Sequence, residues 1–194
     1  MKSISFSKWL MAIKVVLWVS LIGFGLTLFN TAGLVFNSDQ VFTNVKLKNQ
    51  EKISVPNGEL TANSGVFSFK TGNLLDKLIF KHVSGYHDFI QSLFTFVICC
   101  ILLITIREIN ANSPFTLKVA TRIRLIGLLY IVYGLISIGA GYYIYLRINT
   151  DQISGDYSGF RDDLSDIKVG VFILILAFIY RIGASFQEEN QLTV

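Results

Sequence analysis

Apolar residues gather in four long runs along the chain, and one region between the first two alternates apolar with polar positions. The runs cover residues 9–29, interrupted only by Lys14, then 89–106, about 123–146 and about 167–186. About 20 apolar residues in a helix cross the ~30 Å hydrocarbon layer of a bilayer. The pattern predicts one polytopic domain over 1–194, with spans at about 9–30, 87–106, 123–146 and 167–186. The unbroken part of the fourth run, 169–180, is short, and it makes a full span only if Lys168 and Arg181 extend their charged tips to the interfaces. A secretory signal peptide is the other reading of the first run, given its basic start and the small residues Thr31-Ala32-Gly33. That run exceeds a signal core of about 7–15 residues and no A-x-A site follows it, so a retained helix is expected.

Residues 31–86 have a different pattern. Val45, Leu47, Ile53 and Val55 alternate with polar neighbours, Pro56-Asn57-Gly58 is a turn signal, and Gly65-Val66-Phe67-Ser68-Phe69 reads as a strand bounded by Gly72. A β-like insertion over about 40–73 is expected, as a hairpin or a three-stranded module. Such a sheet is marginal alone and needs a surface to pack on. Residues 74–86 read as a helix leading into the second span. The fold class expected is an all-α transmembrane bundle of four helices with a small β-rich extracytoplasmic loop module.

Small residues recur within the apolar runs. Gly127, Gly134 and Gly141 are seven apart in the third, with Ser137 close to the same face, and Gly170, Ala177 and Ala184 are seven apart in the fourth. Ser92 and Cys99 follow the same spacing in the second, and Ser20 and Thr27, with Gly23 nearby, in the first. Lipid tails are as apolar as leucine, so spanning helices associate through close packing at small residues, and a seven-residue recurrence keeps these on one seam. A compact four-helix bundle accounts for the pattern; the sharper alternative is a seam that receives a partner helix or a lipid.

Charge adds orientation. Charged residues make up 15% of the chain, below the quarter or so usual in soluble domains, and the formal charge is +4. The basic residues are scattered among apolar runs, so direct nucleic-acid binding is not expected. The start of the chain carries Lys2, Lys8 and Lys14 with no acid before Asp39, and the 107–124 connection sets Arg107, Lys118, Arg122 and Arg124 against Glu108. The 147–168 connection is acid-rich, with Asp151, Asp156, Asp162, Asp163 and Asp166. Basic connections stay on the cytoplasmic side, which places both termini there in a multi-pass cell-membrane protein. Raw counts alone do not decide this, because the 31–86 loop also holds many lysines.

The connection at 105–127 is the most informative polar stretch. Ser113-Pro114 reads as a helix start, with serine as N-cap and proline at the first helical position. A helix from there to about residue 146 is roughly 48 Å long at 1.5 Å per residue, more than the ~30 Å needed, so its first turns protrude. Lys118 and Arg122 share one face of this foot, and Phe115, Val119 and Ile123 another. A membrane-surface anchor explains such charges, at about 1 kcal/mol per basic residue near anionic lipid. Docking of a cytoplasmic partner is the functional alternative.

Asn112-Ser113-Pro114-Phe115 and Arg122-Ile123-Arg124-Leu125-Ile126-Gly127 resemble the signature of the bacterial membrane proteins catalogued as domain of unknown function 2975. The closing Gln187-Glu188-Glu189-Asn190-Gln191-Leu192-Thr193-Val194 is similar to that family's E-E-N-E-L-T-V ending, with Gln191 departing from an acidic position. The resemblance covers the second half of the chain. It implies a multi-pass protein of the bacterial inner membrane without an assigned activity. In some members the gene lies beside one for a small helix-turn-helix regulator, which implies a regulatory partner. Lys118, Arg122, Arg124, Glu188 and Glu189 are the candidate contacts for a partner or for lipid.

Candidate chemistry is sparse. His82 and His87 are five apart, about 140° around a helix rather than the i, i+4 pair of a metal site, and read as interfacial. Asp162, Asp163 and Asp166 lack calcium-loop spacing and read as a solvated helix start. The adjacent Cys99 and Cys100 read as packing residues, and Tyr130, Tyr133, Tyr142, Tyr143 and Tyr145 as interface and bundle residues. Lys14 and Arg181, near the cytoplasmic ends of their spans, are suitably placed to pair with Glu108. No acidic relay crosses the spans and no catalytic set sits in one, so no enzyme activity, metal or cofactor is expected. The reading is an accessory or regulatory protein that engages a cytoplasmic partner, or alternatively a transport or permeability factor acting as a homo-oligomer in the lipid bilayer.

Overall fold

The structure is a computed structural model and describes residues 2–55, 58–82, 88–109, 116–148 and 164–192. The elements are helix α1 (Lys2–Asn37), strands β1 (Gln40–Val55) and β2 (Gly58–Lys70), the short helix α2 (Leu74–Ile79), and helices α3 (Phe89–Glu108), α4 (Leu117–Ile148) and α5 (Ser165–Leu192). Among the described residues, four stretches are long and apolar enough to cross a membrane: Lys8–Asn37, Phe89–Glu108, Leu117–Arg147 and Ser165–Glu189. They carry apolar side chains on their outer faces as well as between helices, with Trp9 70% and Phe178 64% exposed. A helix apolar all round is suited to a hydrocarbon solvent, as in a multi-pass membrane protein.

Helix α1 is longer than its apolar run, because Thr31-Ala32-Gly33 continue it to Asn37. The Thr31 hydroxyl donates back to the Leu28 carbonyl at 3.0 Å, and the chain leaves the helix at Ser38, whose side chain accepts the Gln40 N–H at 3.3 Å. Helix α4 starts later than Ser113-Pro114 suggests. Thr116 is non-helical and its hydroxyl accepts the Val119 N–H at 3.3 Å, as an N-cap does for the third helical residue. Residues 112–115 lie outside the described residues. Helix α5 runs past its apolar core, through the polar Gln187-Glu188-Glu189.

The chain divides into two compact units. The first comprises Met1–Thr27, Leu93–Leu135 and Leu164–Val194. Successive long helices in it are antiparallel neighbours. Between α1 and α3, Gly25 faces Phe96, and the Arg107 guanidinium lies 5.5 Å from the centre of the Trp18 ring. Between α3 and α4, Phe94 stacks on Tyr133 at 4.1 Å and meets Tyr130 edge-on at 5.0 Å. Between α4 and α5 the backbones themselves touch. A Cβ added at Gly170 would lie 2.7 Å from Ile131 Cγ1 and 2.8 Å from the Gly127 carbonyl oxygen. One at Gly134 would lie 2.7 Å from Ile167 Cγ1. Only glycine permits this approach, the small-residue packing available to helices that gain nothing from burying hydrocarbon.

The second unit comprises Leu28–Ser92 and Ile136–Asp163. Its sheet has two strands among the described residues rather than three. They pair antiparallel from Gln40↔Lys70 to Val55↔Gly58, with a register shift between Lys46 and Glu51. The ends at Val55 and Gly58 match the turn expected there, whose Pro56 and Asn57 lie outside the described residues. Helix α2 stops at Ile79 rather than continuing towards residue 86. Phe80 turns extended, its side chain is buried, and Lys81 pairs with Phe42 through hydrogen bonds of 2.7 and 3.1 Å. The small core gathers Val41, Phe80 and Ile144, with Phe67, Phe69, Ile79 and Tyr143 against it. Phe69 meets Phe80 edge-on at 5.1 Å. This supplies the surface that a two-stranded sheet requires.

Candidate functional site

In the first unit the end of α3, the start of α4 and the last turns of α5 converge. Each brings polar residues because each has just left an apolar segment: Arg107-Glu108 on α3, Thr116 and Lys118 on α4, and Glu188 on α5. Glu108, Thr116, Leu117, Lys118 and Glu188 line one open concavity of about 490 Å³. Lys118 and Glu188, 70 residues apart, thus share a rim.

The basic residues of 105–127 separate into three environments. Arg122 is half-buried and spent within the fold. It donates to Glu108 Oε1 at 2.7 Å and to the Ile104 carbonyl at 3.0 Å, which ties α4 to the last turn of α3. A guanidinium near a helix C-terminus also meets the negative end of the helix dipole. The expected shared face of Lys118 and Arg122 is therefore divided, since Arg122 turns to α3 and Lys118 to the open concavity. Glu108 pairs with Arg122 rather than with Lys14 or Arg181, because Arg122 reaches it across the α3–α4 contact. Its second oxygen, Oε2, is buried without a partner among the described residues.

Arg124 points elsewhere. With Arg181 it lines a second concavity, of about 460 Å³, between α4 and α5, whose other walls are Leu117, Ala120, Thr121, Leu174, Ala177 and Phe178. Glu189 is exposed on α5 and lies outside both linings. Of the seam residues, Gly127, Gly134 and Gly170 form the α4–α5 contact, Ala177 and Ala184 are buried in the same unit, and Gly141 is buried in the other.

Sequence reasoning missed a polar cluster in the second unit. The Asp76 side chain is fully buried and holds partners from distant elements. Thr71 donates to Oδ2 at 2.7 Å, Tyr143 donates to Oδ1 at 2.7 Å, and Arg147 Nη2 stands 3.4 Å from Oδ2. Locally, the Thr71 hydroxyl accepts the Asn73 N–H at 3.1 Å, and Asn73 caps α2 by accepting the Leu75 N–H at 3.1 Å. The signal in the sequence was this turn-and-cap pattern ahead of an acid in a first helical turn; nothing local pairs it with Tyr143. His82 is buried, and the bend after α2 folds it back until Nε2 is 2.7 Å from the Lys77 carbonyl. His87, Asp151, Asp156, Asp162 and Asp163 lie outside the described residues. Asp166 lies in the first turn of α5, with its Cβ facing Gly134.

A family model described as "Protein of unknown function (DUF2975)" matches residues 87–194, which include both concavities. No curated protein and no solved structure matches the chain.

Proposed function

We propose, for a chain that belongs to the DUF2975 family of proteins of unknown function, an accessory or regulatory role in which the polar end of the first unit holds a cytoplasmic protein. The observation that carries this reading is the concavity shared by Glu108, Lys118 and Glu188. It joins one basic and two acidic side chains from three helices, and the buried Oε2 of Glu108 leaves an acceptor to satisfy. A partner presenting a cation beside a carboxylate fits that pattern, since complementary charges set register and suppress wrong partners. The gene association implied by the family makes a small helix-turn-helix regulator the first partner to try.

Orientation follows from charge. The antiparallel packing gathers the start of α1, the end of α3, the start of α4 and the end of α5 at one end of the first unit. That end carries Lys8, Lys14, Arg107, Lys118, Arg122, Arg124 and Arg181. Positive-inside bias favours a cytoplasmic location for it, with both termini, in a bacterial inner membrane. The β hairpin is then extracytoplasmic. A transport role has less support, because Gly127, Gly134 and Gly170 are occupied in packing α4 on α5 and leave that seam no room for a path.

Affinity capture from solubilised membranes tests the proposal. The full chain is expected to retain a cytoplasmic protein, and Lys118→Glu and Glu188→Lys each to release it. Recovery of no such protein, with both variants behaving as wild type in cells, would overturn the reading.

A further inference from the structure

We propose that the groove between α4 and α5 is a binding site for an anionic phospholipid, with the phosphate held between Arg124 and Arg181 and an acyl chain laid over Ala120 and Ala177 against Leu174 and Phe178. Two exposed guanidinium groups line one groove of about 460 Å³, and its lining holds no carboxylate. Among the described residues neither arginine has an ion pair, and the nearby acids belong elsewhere, Glu108 with Arg122 and Glu188 in the other concavity. Two cations facing one space repel unless an anion lies between them, and guanidinium groups match phosphate oxygens through paired N–H donors.

The walls specify what else the anion carries. Ala120 and Ala177 form a buried floor because short side chains leave volume where the helices separate, while Phe178 and Leu117 stand exposed at the sides. The groove thus lies along the apolar outer face of two helices built to span a membrane. A soluble phosphate ester gains nothing from such walls; a molecule with a phosphate at one end and hydrocarbon at the other satisfies both. Position agrees as well. Arg124 is seven residues into α4 from Leu117, about 10 Å along the axis, and so lies near one end of that candidate span. Basic pockets between spanning helices take anionic lipid headgroups by this combination of charge and apolar wall.

The two concavities share Leu117 but none of their charged residues, so the two proposals fail separately. The full chain, delipidated in a maltoside detergent, is titrated with phosphatidylglycerol or phosphatidylcholine of the same acyl chains. Retained lipid is counted by native mass spectrometry, and thermal unfolding is followed in parallel. Phosphatidylglycerol is expected to be retained about thirtyfold more strongly, the equivalent of about 1 kcal/mol from each arginine, and to raise the unfolding temperature where phosphatidylcholine does not. Arg124→Gln with Arg181→Gln is expected to abolish the preference, each single change to lower it about fivefold, and Lys168→Gln, at the opposite end of α5, to leave it in place. Equal retention of the two lipids by the wild type would overturn the proposal without any variant. Equal stabilisation by inorganic phosphate alone would also overturn it, by making the ligand a soluble anion. So would a double variant that keeps the lipid preference, or one that changes only the oligomeric mass, which would assign the groove to a second copy.

Discussion

Asp76 shows at the scale of a residue how this chain holds a carboxyl with no exposed surface. Thr71, Tyr143 and Arg147 supply its partners, and the last two are silent in the sequence because they are 67 and 71 residues away. Tyr143→Phe removes one donor and keeps the ring against Phe80 and Ile144. It is expected to lower stability by about 1–3 kcal/mol, the cost of an unsatisfied buried group, seen as earlier thermal unfolding in detergent by near-ultraviolet circular dichroism. Asp39 is the opposite case. It is exposed, and its hydrogen bond from Lys77, followed by the charge of that lysine, holds its carboxyl below the usual value of 3.8. A depressed carboxyl pKa adds stability above the unfolded value and loses it as pH falls through the folded value. Amide protection in β1, corrected for intrinsic exchange, is therefore expected to fall on acidification below about pH 4, and Asp39→Asn to remove that dependence. The basic residues at 118, 122 and 124 illustrate the limit of periodicity. Their spacing places them on neighbouring faces of one helix, but Arg122 finds its partners on α3 while Lys118 and Arg124 line two different concavities with α5, and no local pattern reports that.

At the scale of the element, the long helices were legible because only their apolar length matters, and their ends were not. Ends depend on single groups: the Thr116 cap for α4, and the burial of Phe80 for the short α2. The hairpin was legible from alternation and its turn residues, whereas the number of strands depended on where residues 74–82 pack. Of the glycines spaced by seven, Gly127, Gly134 and Gly170 are crowded, and equal spacing hid unequal surroundings. Gly170→Ala puts a methyl 2.8 Å from a backbone oxygen that cannot swing aside. A loss of about 1–3 kcal/mol is expected, as for other overpacked sites, read from detergent or denaturant unfolding. Gly23→Ala meets nothing within 4 Å and is expected to be neutral or mildly stabilising in the same assay.

For the whole molecule, four candidate spans and an intervening hairpin could be read directly, and the family match over 87–194 agrees with the motifs that suggested it. What the sequence kept hidden was the sorting of one basic connection into an internal tie, a polar concavity and an arginine-lined groove, since that sorting requires three helices at once. Under the proposed orientation, four crossings put both termini on one side of the membrane. Reporters that fluoresce only in the cytoplasm are expected to be active when fused before α1 and when fused after α5. Signal from one fusion alone would show an odd number of crossings.

The Arg107–Trp18 contact makes the chain its own optical gauge. The sequence has two tryptophans, and Trp9 is already exposed, so Trp9→Phe leaves Trp18 as the sole indole emitter. A cation held over its face perturbs the excited state, and the emission of that variant therefore tracks the separation of α1 from α3. Arg107→Gln in this background is expected to change the emission intensity and wavelength and supplies the separated reference. Lipids or partner proteins that part the two helices move the native signal towards it, without any label attached to the protein.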